Sequence, residues 1–349
     1  MLAAIFREPG NLDVTEVETP EARPGEVIVR VGANTVCGTD VRILKGEKTR
    51  GIGKDVILGH ELAGHVAEVG AGVGNYGLGY EVGAPVAMYP LLQCGRCYYC
   101  LRGMENVCEN LRIFGNIEDG GLAEFIRVPA KAVERGNLFI AGEDRPSEEL
   151  ALAEPLACCI NGLEKYRVEV GDTVVILGAG PIGLFHLQLA LLSGAEKVIV
   201  SNPSESRRRF AESLGATVTV DPTSEDLTGV VNEHTGGRGA DATVICIGRP
   251  ELVNDALGMT RKGGRVNVFA GLAGDGWAEI AANLIHYNEI SLTGGSNCRR
   301  RDFADAMRLI SAGRIDVKTM VTDRFPLAQA AHAIEKSSES GGIKVAVMP

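Results

Sequence analysis

The stretch TVVILGAGPIGL, residues 173–184, constrains this chain more than any other. An apolar run leads into Gly178, Gly180 and Gly183 in G-x-G-x-x-G order, and LFHLQLALLSGA follows with an amphipathic helical pattern. Such glycines are a weak signal alone; between a strand and a helix they predict a dinucleotide-binding turn. Gly178 permits the tight turn, Gly180 lets the backbone approach a pyrophosphate, and Gly183 lets helix and strand pack closely. The helix N-terminus offers free N–H groups to the phosphates. The runs KVIVSN, TVTV, ATVICIG, RVNVFAG and EISLTGG alternate with helical segments. Short apolar runs linked by helices predict a doubly wound parallel sheet.

The second strand of such a sheet ordinarily ends in an acid that bonds the adenosine ribose. Here KVIVSN places Asn202 at that point, and Arg207, Arg208 and Arg209 follow. An amide bonds ribose hydroxyls but does not repel a 2′-phosphate, and Arg207 can pair with one. The cofactor is therefore NAD or NADP, with the balance toward NAD. Arg208 and Arg209 read as a solvated helix face.

The first 150 or so residues read differently. VIVRVGANTVCG and ELAGHVAEVGAGVG are strand-like with glycine-rich exits, and VTEVETPEARPGEVIV has no helical period. The rhythm changes at the helical stretch ALAEPLACCINGLEKY, and again after Gly295, where RDFADAMRLISAG and AQAAHAIEKSSES read as helices. The α/β chain thus divides into a β-rich domain over 1–153, a doubly wound domain over 154–294, and a tail, 295–349, that rejoins the first. A net charge of −10 argues against a nucleic-acid or anionic-membrane surface. No apolar stretch reaches transmembrane length, and MLAAIFREPGNLDV lacks a signal-peptide layout. The expected location is the cytoplasm, where cysteines stay reduced.

Four of those cysteines, Cys94, Cys97, Cys100 and Cys108, form C-x2-C-x2-C-x7-C within a lobe at about 90–110. Four reduced thiols at this spacing suit one tetrahedral zinc in a closed, structural site. Elsewhere NTVCGTD offers Cys37, and ILGHELAGH offers His60 and Glu61. His65 would face the other side of a strand from His60 and is a poor partner. Asp40 can hold the His60 ring from behind.

CGTD at 37–40, GHE at 59–61, the four-cysteine lobe, EPL at 154–156 and GAGPIG at 178–183 together resemble the medium-chain zinc-dependent alcohol and polyol dehydrogenases, in the family's order and over essentially the whole chain. The resemblance implies a GroES-like catalytic domain, a Rossmann domain, and an active site in the cleft between them. It implies two zinc ions per chain: one in the cysteine lobe, and a catalytic ion on Cys37, His60 and one or both of Glu61 and Glu154. EPL places Glu154 where the alcohol dehydrogenase branch has a cysteine ligand, as in the sorbitol and threonine dehydrogenase branch; Cys158 and Cys159 read as helix core. A secondary alcohol of a polyol, sugar or cyclitol would lose its proton through Thr39 and its hydride to the nicotinamide. Ile182 would pack by the pyrophosphate, Ala270, Gly271 and Leu272 would line the nicotinamide, and Gly295, Ser296 and Asn297 would close its far side.

Two departures stand out. Relatives often carry a histidine where this chain has Arg42, which makes a charged substrate conceivable. Arg299, Arg300 and Arg301 form a second basic run, read either as a solvated helix start or as an anion site beside the cleft. Rival readings are an L-threonine 3-dehydrogenase-like or amino-alcohol dehydrogenase, a non-catalytic NADPH-binding protein, and a zinc-ribbon module, which the acidic charge disfavours. Relatives are homodimers or homotetramers, and ISLTGG can supply an edge for pairing.

Overall fold

The computed structural model describes all residues except 143–144, 273–275 and 340. They form two compact units: Met1–Ala157 with Arg299–Gly313 and Val317–Pro349, and Cys158–Cys298 with Arg314–Asp316. The division falls inside the helix Ala153–Tyr166, four residues beyond the expected boundary at 153/154.

In the first unit a mixed sheet runs in the order Leu138–Ile140, Pro85–Met88, Glu61–Val69, Val27–Thr35, Lys344–Met348, Val321–Pro326, with Phe125–Val128 also paired to Val27–Thr35. Val27–Thr35 and Glu61–Val69 are antiparallel, in a register that sets Thr35 opposite Glu61. Val27, Val29, Val31, Leu62 and Val66 point from these strands into one apolar core with Ile126, Val128 and Leu138. A second core gathers Ala3–Phe6, Ile43 and Leu58 with Ala330, Ala333, Val345 and Val347. Lys344–Met348 reads KVAVM and is buried through its first four residues, so it lies inside the sheet rather than at an edge.

The second unit holds a parallel sheet ordered Val218–Val220, Lys197–Ser201, Thr173–Leu177, Ala240–Ile245, Thr260–Val268, Ser291–Gly294. In chain order this is 3-2-1-4-5-6, the doubly wound arrangement. Thr173–Leu177 and Ala240–Ile245 are buried throughout, as central parallel strands must be when helices cover both faces. The helix Pro181–Leu192 differs from expectation. Gly183 to Leu187, Leu189 and Ala190 are all buried, so it is apolar nearly all round rather than amphipathic. Among the described residues, no helix is long and apolar enough to cross a membrane.

The arginine run at 299–301 is neither a solvated helix start nor a free anion site. Arg299 is 6% exposed, and its Nε and Nη2 each donate to Asp302 at 2.8 Å, in the first turn of Arg300–Ser311. Arg300 donates to Gly136 O and, at 3.0 Å, to Asn137 Oδ1. Its guanidinium lies 5.3 Å from the centre of the Tyr89 ring. Of the three, Arg301 alone projects into solvent.

Candidate metal centres and dinucleotide turn

Because Thr35 pairs with Glu61, residues just beyond the paired positions meet at one end of the sheet. Cys37 caps the short helix Gly38–Leu44, and its N–H donates to Asp40 Oδ2 at 2.9 Å. His60 immediately precedes Glu61 on the neighbouring strand. One ligand atom each from Cys37, His60 and Glu61 lies within 4.8 Å of the others. Donors gathered this closely could share one zinc ion.

The surroundings suit a cation. His60 Nδ1 is 3.4 Å from Asp40 Oδ1, both buried, which leaves Nε2 as the nitrogen that could serve a metal. Burial disfavours a charged His60 ring, but Asp40 and then Cys37 outweigh it and hold its pKa well above the ordinary range. A dication must compete with that proton, so metal affinity falls as pH falls. Thiolate, imidazole and carboxylate are a donor set for zinc, and three protein ligands leave a position open for substrate.

Glu61 is 1% exposed and already engaged. Lys344 Nζ lies 2.8 Å from its Oε1 and 2.6 Å from its Oε2, and the Thr35 hydroxyl donates to Oε2. Burial opposes the charge on Lys344, yet Glu61 and then Cys37 prevail and raise its pKa. Glu154, buried in the first turn of Ala153–Tyr166, adds to the field on Lys344 but falls outside the close group of three. Thr39 is half-buried on Gly38–Leu44.

The four lobe cysteines are free thiols whose sulfurs lie within 4.8 Å of one another. Cys97 and Cys108 approach to 3.8 Å, Cys94 and Cys100 to 4.0 Å. The N–H groups of Cys94 and Asn110 each donate to Cys108 Sγ at 3.3 Å. The Arg96 N–H leads a set of donors that pull the Cys94 thiol down to about 6, whereas burial pushes Cys100 up to about 12. N–H groups aimed at sulfur favour thiolates, the form a metal takes. Arg135 Nη2 donates to Cys94 O at 2.9 Å, and Glu105 accepts the Arg300 N–H at 3.0 Å, so two arginines fasten the lobe to its unit.

In the second unit the candidate cofactor contacts share one edge. The glycine turn, Asn202, Ala270–Leu272 and Gly295–Asn297 follow Thr173–Leu177, Lys197–Ser201, Thr260–Val268 and Ser291–Gly294 respectively. They therefore leave the carboxyl ends of parallel strands, where open sheets bind ligands. Gly178 has φ +113°, and a Cβ on Gly183 would come 1.8 Å from Gly178 O, so both positions require glycine. Ile182 O accepts a weak bond from Cys159 Sγ at 3.7 Å; Cys159 is buried, and Cys158 is half-buried. Asn202 is buried, and its Oδ1 accepts the Ser204 N–H at 2.9 Å. Arg207 is half-buried, and burial lowers its pKa. Arg208 corrects the sequence reading: it bonds Asn202 O at 2.7 Å and Pro203 O at 2.9 Å and pairs with Asp221 at 3.1 Å. Arg209 is on the exposed face, paired with Glu205.

Residues 23–136 match the alcohol dehydrogenase GroES-like domain, and residues 181–312 match the zinc-binding dehydrogenase domain. The chain is 32% identical over 334 residues to D-arabitol-phosphate dehydrogenase of Enterococcus avium, covering 95% of this chain and 92% of that one. The chain belongs to the zinc-binding dehydrogenase family. It is 34% identical over 330 residues to L-threonine 3-dehydrogenase of Pyrococcus furiosus, covering 93% and 91%. A candidate zinc-binding dehydrogenase of Sinorhizobium meliloti 1021, solved with NADP, superposes with a TM-score of 0.92 at 34% identity, over 100% of this chain and 99% of that one.

This zinc-binding dehydrogenase carries two buried residues that sequence reasoning missed. One is Lys344, beside Glu61. The other is Asn161, whose Nδ2 donates to Ser296 O at 3.2 Å and Asn297 O at 2.9 Å, holding a loop in which Asn297 has φ +53°. No local pattern marks either.

Proposed function

We propose that this zinc-binding dehydrogenase oxidises a secondary alcohol of a polyol, sugar or cyclitol with NAD or NADP. The observation that carries the reading is the meeting of Cys37, His60 and Glu61 at one sheet end. Those residues would hold the catalytic ion, with Glu154 as the carboxylate that can replace Glu61, and the cysteine lobe would hold a second. When bound, the metal supplies Lewis acidity toward a substrate oxygen and the nicotinamide supplies the hydride acceptor. Asp40 orients the His60 ring through Nδ1. Lys344 and Thr35 hold the Glu61 carboxylate in place. The Thr39 hydroxyl takes the proton of the substrate hydroxyl and passes it to water. Gly178, Gly180, Ile182 and Gly183 bind the pyrophosphate.

A panel of polyols, sugar acids, sugar phosphates and L-threonine, offered with each cofactor and followed by the absorbance of reduced nicotinamide, tests this reading. Metal analysis of the same preparation is expected to give about two zinc ions per chain. Failure of every alcohol with both cofactors would overturn the proposal. The similarity to L-threonine 3-dehydrogenase favours an amino-alcohol substrate as the second reading, and the same panel decides between them.

The lean toward NAD rests on Asn202 at the ribose position. Asn202→Asp keeps an acceptor for the Ser204 N–H while adding a charge that repels a 2′-phosphate. The ratio of kcat/KM with NADP to that with NAD is expected to fall about tenfold, equivalent to about 1.4 kcal/mol. An unchanged ratio would show that Asn202 does not read the ribose. The protein is read as a cytoplasmic homodimer or homotetramer, with Ser291–Gly294 at the sheet edge as the pairing strand.

A further inference from the structure

Two cations beside the candidate metal centre have no ion pair among the described residues: Arg42 and Lys48. Arg42 lies two positions after Asp40 on the helix Gly38–Leu44. Lys48 folds back toward it, since the N–H groups of Glu47 and Lys48 donate to Arg42 O at 2.8 and 3.1 Å. From the other side, Lys48 Nζ lies 3.3 Å from the Asn116 side-chain oxygen when that amide is turned so that its nitrogen donates to Gly115 O at 3.0 Å.

Asn116 is buried, and its loop rests on the segment leading into His60. Gly120 and Gly121 donate to Ile57 O and Gly59 O, each at 2.8 Å, and Gly53 donates to Asn116 O at 2.7 Å. Lys48 therefore spans two pieces of backbone, the helix that follows Cys37 and the loop laid over the residues that precede His60. Both flank the place where Cys37 and His60 meet.

The half-buried Lys48 ammonium is poorly compensated there. Burial lowers its pKa, and the negative groups that favour its charge, Cys37 and Asp40, already serve the metal site and the His60 ring. Arg42 adds a like charge. A partly desolvated pair of cations without a carboxylate partner is costly unless a ligand brings the anion. Guanidinium and ammonium groups together suit phosphate or carboxylate oxygens.

We propose that Arg42 and Lys48 form an anion subsite of the active centre, and that the substrate is an alcohol bearing a phosphate or a carboxylate. This deepens the dehydrogenase reading above and rests on it. The test compares kcat/KM for sugar phosphates, sugar acids and neutral polyols in the wild type, Arg42→Met, Lys48→Met and the double variant. The wild type is expected to prefer one anionic class, and its KM for that class to rise with salt. Each single variant should lower the anionic-to-neutral ratio of kcat/KM about tenfold, through KM more than kcat, and Lys48→Arg should restore most of it. Preference for sugar phosphates over sugar acids, or the reverse, identifies the anion. A wild type that favours neutral polyols, or variants that lower anionic and neutral substrates equally, would overturn the subsite and leave the dehydrogenase reading standing. Failure with every alcohol would remove both.

Discussion

Cys37→Ser is expected to yield a folded protein that binds dinucleotide but oxidises alcohol more than about 100-fold more slowly than the wild type, beyond the range that substitutions behind a metal ligand produce. A serine hydroxyl does not ionise near neutral pH, so the site loses the one thiolate in its donor set. The local fold should survive, because Asp40 holds residue 37 through its backbone N–H, a bond the substitution leaves in place. The glycine turn and the loops at the carboxyl edge of the parallel sheet belong to the second unit, whereas Cys37 belongs to the first. Steady-state rates, dinucleotide titration and zinc content should therefore separate: activity falls, binding persists, and about one equivalent of zinc is lost. Activity within a few-fold of the wild type would refute the assignment of Cys37 to the catalytic ion.

Lys344→Met should cost about 3–5 kcal/mol of stability, the range for removing one partner of a buried ion pair. Lys344 and Glu61 are 5% and 1% exposed, so in the metal-free protein the stranded carboxylate would keep, among the described residues, only the Thr35 hydroxyl as a partner. Adding Glu61→Gln to Lys344→Met removes that charge and should recover a substantial part of the loss. Urea unfolding of the wild type, the single variants and the double variant gives the coupling directly. A loss below about 1 kcal/mol for Lys344→Met would place the pair with weak surface bridges and remove the argument that Lys344 fixes Glu61.

The legible parts of this molecule are those whose meaning is local. The glycine spacing at 178–183 and the cysteine spacing at 94–108 encode their geometry within a few residues. Cys37 and His60 were harder, because their meeting depends on the register between Val27–Thr35 and Glu61–Val69; the family resemblance supplied what periodicity could not. Lys344 was out of reach. It lies 283 residues from Glu61, and a lone lysine opening KVAVM looks like a strand end turned to water. The arginine run at 299–301 misled for a related reason. A row of cations reveals its charge but not its partners, and here Asp302, Gly136 O and Asn137 had already claimed two of the three.

The inner position of Lys344–Met348 bears on how the protein is made. A ribosome delivers Glu61 long before Lys344, and the whole parallel-sheet unit emerges between them. That unit can fold as an insert while the other sheet waits with a gap beside Asn34 and Thr35. Until the gap is filled, Glu61 has no ammonium to meet, and the neighbouring strand edge stays open to foreign chains. Synthesis therefore completes the first unit last, and a nascent chain stalled just short of residue 344 would hold a finished parallel-sheet unit while Glu61 still lacked its ammonium partner.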